Sequence, residues 1–162
     1  MTLSMKVTGF NVMKGAMAKR RTALLKRKAV NARAVTVVDS WIQRNFKSEG
    51  GNVGGWRPLA DSTKFGKVYD GKGSKGRPRG GESAKILQDT GTLRLKWNHI
   101  ATNKEAAIES LAKSRKGFYY GTAHNEGGNN NRPPKRRILP ENREIWPKLK
   151  LVYGNFIKSS LR

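Results

Sequence analysis

Cysteine is missing from this chain altogether. Its absence excludes disulfide scaffolds, thiol nucleophiles and cysteine-ligated zinc or iron–sulfur centres. Acid is scarce, with 11 Asp and Glu against 34 Lys and Arg, a formal charge of +23 in 162 residues. An imbalance of that size says nothing about fold but predicts attraction to polyanions such as nucleic acid, acidic protein surfaces or anionic lipid. Long apolar runs are also lacking. None approaches the roughly 20 residues that span a bilayer, and no signal-peptide core precedes the first charges, so neither membrane insertion nor export by that route is expected. Apolar residues make up 36% and glycines number 18. That composition predicts one modest folded body of about a domain's size, with irregular basic segments attached.

Between Asn11 and Lys47 there is no proline and a single glycine, which predicts one long helix or two in succession. The two halves differ in pattern. In the second, Val30, Ala34, Val37, Val38, Trp41 and Ile42 recur at three- and four-residue steps, the spacing of a helix packed on a core. The first half keeps that spacing in Met13, Met17, Arg20, Leu24 and Arg27, but two arginines fall into the stripe. Eight basic residues, including Lys14, Lys19, Arg21, Lys26 and Lys28, lie between Lys14 and Arg33 with no acid among them. A helix charged on all sides cannot bury itself in its own domain, so residues 1–28 are expected to form a basic segment that projects toward a partner. Residues 29–162 are then expected to form a single domain.

Gly50, Gly51, Gly54 and Gly55 predict a loop that ends this helical stretch, and Trp56 supplies an apolar anchor to the segment that follows. Lys64 to Lys85 carries seven basic and two acidic residues, six glycines and one proline. It has no apolar period and reads as a flexible loop presenting Lys72, Lys75, Arg77 and Arg79. Asp89 or Thr90 is placed to cap a short helix through Leu93. Trp97–Ala101 and Glu105–Leu111 read as a short hairpin turning at Asn103-Lys104. Tyr119–Asn125 predicts one or two helical turns ended by Gly127-Gly128, and Asn129–Arg137 a polar loop. Pro147 suits the first turn of a C-terminal helix whose apolar face is Leu149, Val152, Tyr153, Phe156 and Ile157.

No chemical motif survives its context. Gly71 to Gly76 matches the glycine spacing of a dinucleotide site, but no strand precedes it and Arg77-Pro78 follows where a helix should begin. Gly66 to Lys72 imitates a phosphate-binding loop, yet position 73 is glycine where a hydroxyl would hold magnesium. His99 and His124 lack metal-ligand spacing. Glu105 and Glu109 flank a strand, and Glu141 and Glu144 sit beside a helix start, where carboxylates favour the helix dipole. No cofactor and no enzymatic activity are expected. The four tryptophans, Trp41, Trp56, Trp97 and Trp146, are read as core or interface packing in preference to base-stacking platforms.

Three blocks in order, and a proline and arginine segment after them, carry a resemblance. Trp56-Arg57-Pro58-Leu59-Ala60-Asp61-Ser62-Thr63 is followed by Ile86-Leu87-Gln88-Asp89-Thr90-Gly91-Thr92-Leu93-Arg94. Then come Tyr120-Gly121-Thr122-Ala123-His124-Asn125-Glu126-Gly127 and a proline and arginine segment, Arg132-Pro133-Pro134-Lys135-Arg136-Arg137-Ile138-Leu139. In this order, behind a long helix, they resemble the tailed-phage virion morphogenesis family, the tail-completion proteins. Asn125 and Glu126 stand where that family usually has Gln and an aromatic, and Lys135 to Ile138 lacks its usual arginine, proline and phenylalanine run.

The resemblance implies an α+β fold, with a long N-terminal and a C-terminal helix packed on a small curved antiparallel sheet. It also implies a non-catalytic subunit of the virion, assembled in the host cytoplasm, acting in a homo-oligomeric ring with other neck or tail proteins. The basic segments would then face phage DNA or acidic neighbours. A nonspecific nucleic-acid-binding protein is the alternative that the charge alone supports. A membrane-active amphipathic helix is disfavoured by Arg20 and Arg27 in the apolar stripe.

Overall fold

The computed structural model describes residues 10–61, 85–88, 91–114, 117–128 and 133–161, with side chains described from Met13 onward. Ser62, Thr63, Asp89, Thr90 and the loop cations Lys72, Lys75, Arg77 and Arg79 lie outside them. The chain is α+β. Helices α1 (Phe10–Leu25) and α2 (Lys28–Lys47) come first, followed by a 3-10 turn at Gly51–Val53. A one-turn helix α3 (Thr92–Leu95) leads into strands β1 (Trp97–Ala101) and β2 (Ala106–Ser110). Helices α4 (Tyr120–Glu126) and α5 (Asn142–Leu161) complete the order. The two strands form an antiparallel hairpin in which Trp97 faces Ser110 and Ala101 faces Ala106. Its turn is closed by Thr102, whose hydroxyl accepts from the backbone N–H groups of Lys104 and Glu105, each at 3.1 Å.

Helix α2 is the hub and packs against both strands and α5. Its stripe does what the spacing predicts: Val30, Ala34, Trp41 and Ile42 are buried, with Val37 and Val38 half-buried. Phe46, fully buried, sets the end of the stripe and meets Trp56 edge-on, ring centroids 5.3 Å apart at 81°. Around them Ile86, Leu93, Ala112, Ile138 and Ile145 close the core. Gly50 ends α2 with φ 89°, and a side chain there would run into the Trp56 ring and backbone. Only glycine meets both conditions.

No proline or glycine separates α1 from α2. The break at Lys26-Arg27 is instead fixed from a distance, because the N–H of Lys28 donates to Asn103 Oδ1 (2.8 Å) in the hairpin turn. That bond satisfies one of the four donors that a helix start leaves free. Next to it, buried Asn31 donates through Nδ2 to the carbonyls of Thr102 (2.6 Å) and Glu105 (3.2 Å) and accepts from the Tyr153 hydroxyl (2.9 Å). One side chain thus joins α2, the hairpin and α5.

Several expectations need correction. Pro147 lies inside α5 and not in its first turn, since the helix opens five residues earlier at Asn142. Glu144 provides that earlier start: its Oε2 accepts from the N–H of Glu141 (2.8 Å), the back-bond of a capping box. Gly91, with φ 71°, holds the N-cap position of α3, where no side-chain cap bond forms. Trp146 is 54% exposed and packs in no core, and Ile157 is exposed at the far end of α5. The segment from Pro133 to Leu139 is not a polar surface loop but a strap through the interior, with Arg136 and Ile138 both buried. Among the described residues no helix is long and apolar enough to cross a membrane.

Candidate functional site

The residues of the resembling blocks gather around the strap. Trp56, Leu59, Leu87, Leu93 and Tyr120 pack on the core, while Pro58 is exposed, Pro134 half-buried and Leu139 exposed. Arg137 is the strap's centre. Its carbonyl accepts from Asn45 Nδ2 (2.9 Å) and Trp56 Nε1 (3.0 Å), using both lone pairs. Its guanidinium pairs with Glu141 and, at 2.5 Å, with Glu144. Arg94 donates to Gln43 Oε1 (3.2 Å) and Gln88 Oε1 (3.3 Å), tying α3 to α2. Gly127 ends α4 with φ 88°, against Lys135 of the strap. These residues hold the body together, and they do not converge as a reacting set.

Arg136 and His124 form a second cluster. Arg136 donates through Nε and Nη2 to the Arg57 carbonyl (3.2 and 3.1 Å) and through its backbone N–H to His124 O (2.6 Å). Burial, and then the charge of Arg57, lower the Arg136 pKa. Burial first, and Arg136 second, lower that of His124, so its imidazole stays neutral below the usual range. His99 sits elsewhere, on β1, with Nε2 3.4 Å from Asp39. Among the described residues no three His, Asp or Glu side chains come together as metal ligands.

The second set of sequence-selected residues is arranged differently. Lys14, Lys19, Arg20 and Arg21 on α1, with Lys26, Arg27 and Lys28 at its junction with α2, are all exposed. None forms an ion pair with a described carboxylate. Met13, Met17 and Leu25 are exposed with them, Met17 at 61%. The substantial contact of α1 within its own chain is with α5, and only Ala23 and Leu24 are half-buried. A helix of 16 residues is about 24 Å long. Chemically it offers cations on all sides and a short apolar row, which suits an anionic surface.

One recess was not foreseen. Trp97, Ile108, Tyr119, Ile138 and Leu139 are among the residues that line a cavity of about 250 Å3 between the hairpin, α4 and the strap. Trp97 Nε1 is buried and has no hydrogen-bond partner among the described residues. The alternation of β2 alone cannot reveal it, because its other walls come from β1, α4 and the strap. No family model, no curated protein and no solved structure matches this chain.

Proposed function

We propose that this chain is a structural subunit of a tailed-phage particle that completes the tail or joins it to the head as a member of a ring. The carrying observation is α1, a helix whose cations are exposed together with Met13, Met17 and Leu25 among the described residues. Such a helix buries too little surface alone to offset the entropy of ordering it, so it belongs in a larger assembly. The three ordered blocks, resembling tail-completion proteins, support a virion as that assembly, with neck or tail proteins as neighbours. Electron microscopy of particles made without this chain is expected to show separated heads and defective tails, whereas normal infectious particles would refute the reading.

The same helix favours one other reading, nonspecific binding of nucleic acid by the exposed cations. Titration with random-sequence duplex DNA at several salt concentrations separates the two. Tight binding at physiological salt with a steep salt slope would favour nucleic acid, and weak binding would eliminate it.

A further inference from the structure

Resting on the reading of the chain as a ring subunit, we infer that β2 accepts a third strand, supplied by residues 2–8 of a neighbouring copy. The hydrogen-bond register of the hairpin defines the acceptor. The Thr102 N–H donates to the Glu105 carbonyl and the Leu111 N–H to that of Lys96, each at 2.9 Å. Bonded and non-bonded positions alternate along an antiparallel pair. Ala107 and Glu109 therefore bond to β1, while Ala106, Ile108 and Ser110 turn their N–H and carbonyl groups outward. Among the described residues β2 has no strand on that side. Beside this open edge lies a groove of about 140 Å3, with Ala34 and Val38 of α2 and Leu149 and Tyr153 of α5 among its walls. Trp146 and Ile157, 54% and 46% exposed, share that side of α5, seven residues before Tyr153 and four after it. The hairpin covers α2 and leaves the adjoining flank of α5 uncovered among the described residues.

The chain's first residues have the pattern this edge requires. Thr2-Leu3-Ser4-Met5-Lys6-Val7-Thr8 alternates polar and apolar at every step, the period of a strand with one face on a core. No other stretch outside the described residues alternates in this way. Added to β2, its backbone bonds to the outward groups, and Leu3, Met5 and Val7 cover the groove and the α5 flank. Reach decides which copy supplies it. Helix α1 is half-buried only at Ala23 and Leu24, and from there back to Phe10 the helix covers about 20 Å. Gly9 alone separates Thr8 from that start. Retracing the distance would use up the roughly 23 Å span of a seven-residue strand and leave nothing to pair along β2 of the same chain. The acceptor is therefore a second copy, with α1 as the spacer between two bodies. Because donor and edge are different surfaces, the contact is head-to-tail and propagates into a ring or a filament.

Sedimentation of the purified, nuclease-treated full chain tests the pairing. Wild type is expected to exceed the monomer mass of 18.1 kDa as concentration rises. Successive strand residues point their N–H groups to opposite sides, so Met5→Pro/Lys6→Pro removes one ladder donor in either register. That variant should weaken association on the order of tenfold or more. Both positions precede α1, so the melting profile stays that of wild type. The chain has no cysteine, so Lys6→Cys and Glu109→Cys mark donor and edge without background. Mixed and treated with a short bis-maleimide, the two single variants should join at twice the chain mass, and neither should do so alone.

A wild type that stays monomeric, association untouched by Met5→Pro/Lys6→Pro, or no joining on mixing would overturn the inference. So would a cross-link formed within one chain of Lys6→Cys/Glu109→Cys, which assigns the segment to its own edge. Association that needs added duplex DNA would overturn it too, by assigning the contact to nucleic acid. Failure here with the chain still found in purified particles leaves the virion reading standing. The expected cross-link by a chain absent from particles would do the reverse.

Discussion

Helices α1 and α2 are separated by Lys26 and Arg27 alone, and both are free of proline. Yet α2 has eight buried residues, while every described side chain of α1 except Ala23 and Leu24 is exposed. Propensity does not explain it, because α2, with Val30, Val35, Thr36, Val37, Val38 and Ile42, has the poorer helix formers of the two. The difference lies in what falls on the stripe. In α2 the three- and four-residue steps land on Val, Ala, Trp, Ile and Phe, and the polar exceptions, Asn31 and Asn45, each donate through Nδ2 to a distant carbonyl. In α1 the same steps land on Arg20, for which no described carboxylate is near, and burying it would cost more than the neighbouring methionines return. One charged residue per stripe decides between core and surface.

The sharpest way to break that comparison is on the α2 side. Phe46→Ala removes a fully buried ring and its edge contact with Trp56 and should cost about 3–5 kcal/mol of unfolding free energy, read by urea denaturation. A loss under about 1 kcal/mol, by contrast, would mean the α2 stripe is not the core. Arg137→Met keeps the strap's backbone but leaves half-buried Glu144 without its cation, at about 1–3 kcal/mol.

A smaller effect is expected from His124. Its folded pKa lies below the ordinary 6.5, from burial first and Arg136 second. The unfolded chain therefore binds the proton more readily, so this group's contribution is fully present above pH 6.5 and is lost as pH falls through 6.5 toward the folded pKa. Denaturation midpoints across that window should decline in wild type and flatten in His124→Gln, and equal slopes would refute the assignment. Least of all, Met17→Ala on α1 should leave stability within about 0.5 kcal/mol, because the side chain has little to lose.

How much of this was legible in the sequence follows the same division. Periodicity is a local signal, so the α2 stripe, the hairpin with its Asn103-Lys104 turn and the exposed character of α1 can be read from spacing. Trp56 as an anchor, too, follows from its size. The strap from Pro133 to Leu139 reads as a polar loop because its prolines break regular structure and its lysine and arginines are charged and unpatterned. Its burial depends on acceptors and donors supplied by Arg57, Asn125 and Asn45, which are distant in the chain except for Asn125. Asn31 is equally silent, since its partners are 71 to 122 positions away. The start of α5 was obscured for a different reason: Pro147 is a strong local cue for a first turn, and the capping bond from Glu144 to Glu141 overrides it. Of the candidate surfaces, the arm declares itself by charge, whereas the recess exists only once hairpin, α4 and strap are folded together.

Amide hydrogen exchange, followed by mass spectrometry on the chain as a dilute monomer and in its associated form, bears most directly on the division between body and arm. The account predicts slow exchange in α2 in both states, and exchange in α1 that is fast in the monomer and at least tenfold slower once associated, the change that ordering by about 1.4 kcal/mol produces. Equal and strong protection of α1 in the monomer would contradict it, because the helix would then be stabilised by its own chain and would need no neighbour.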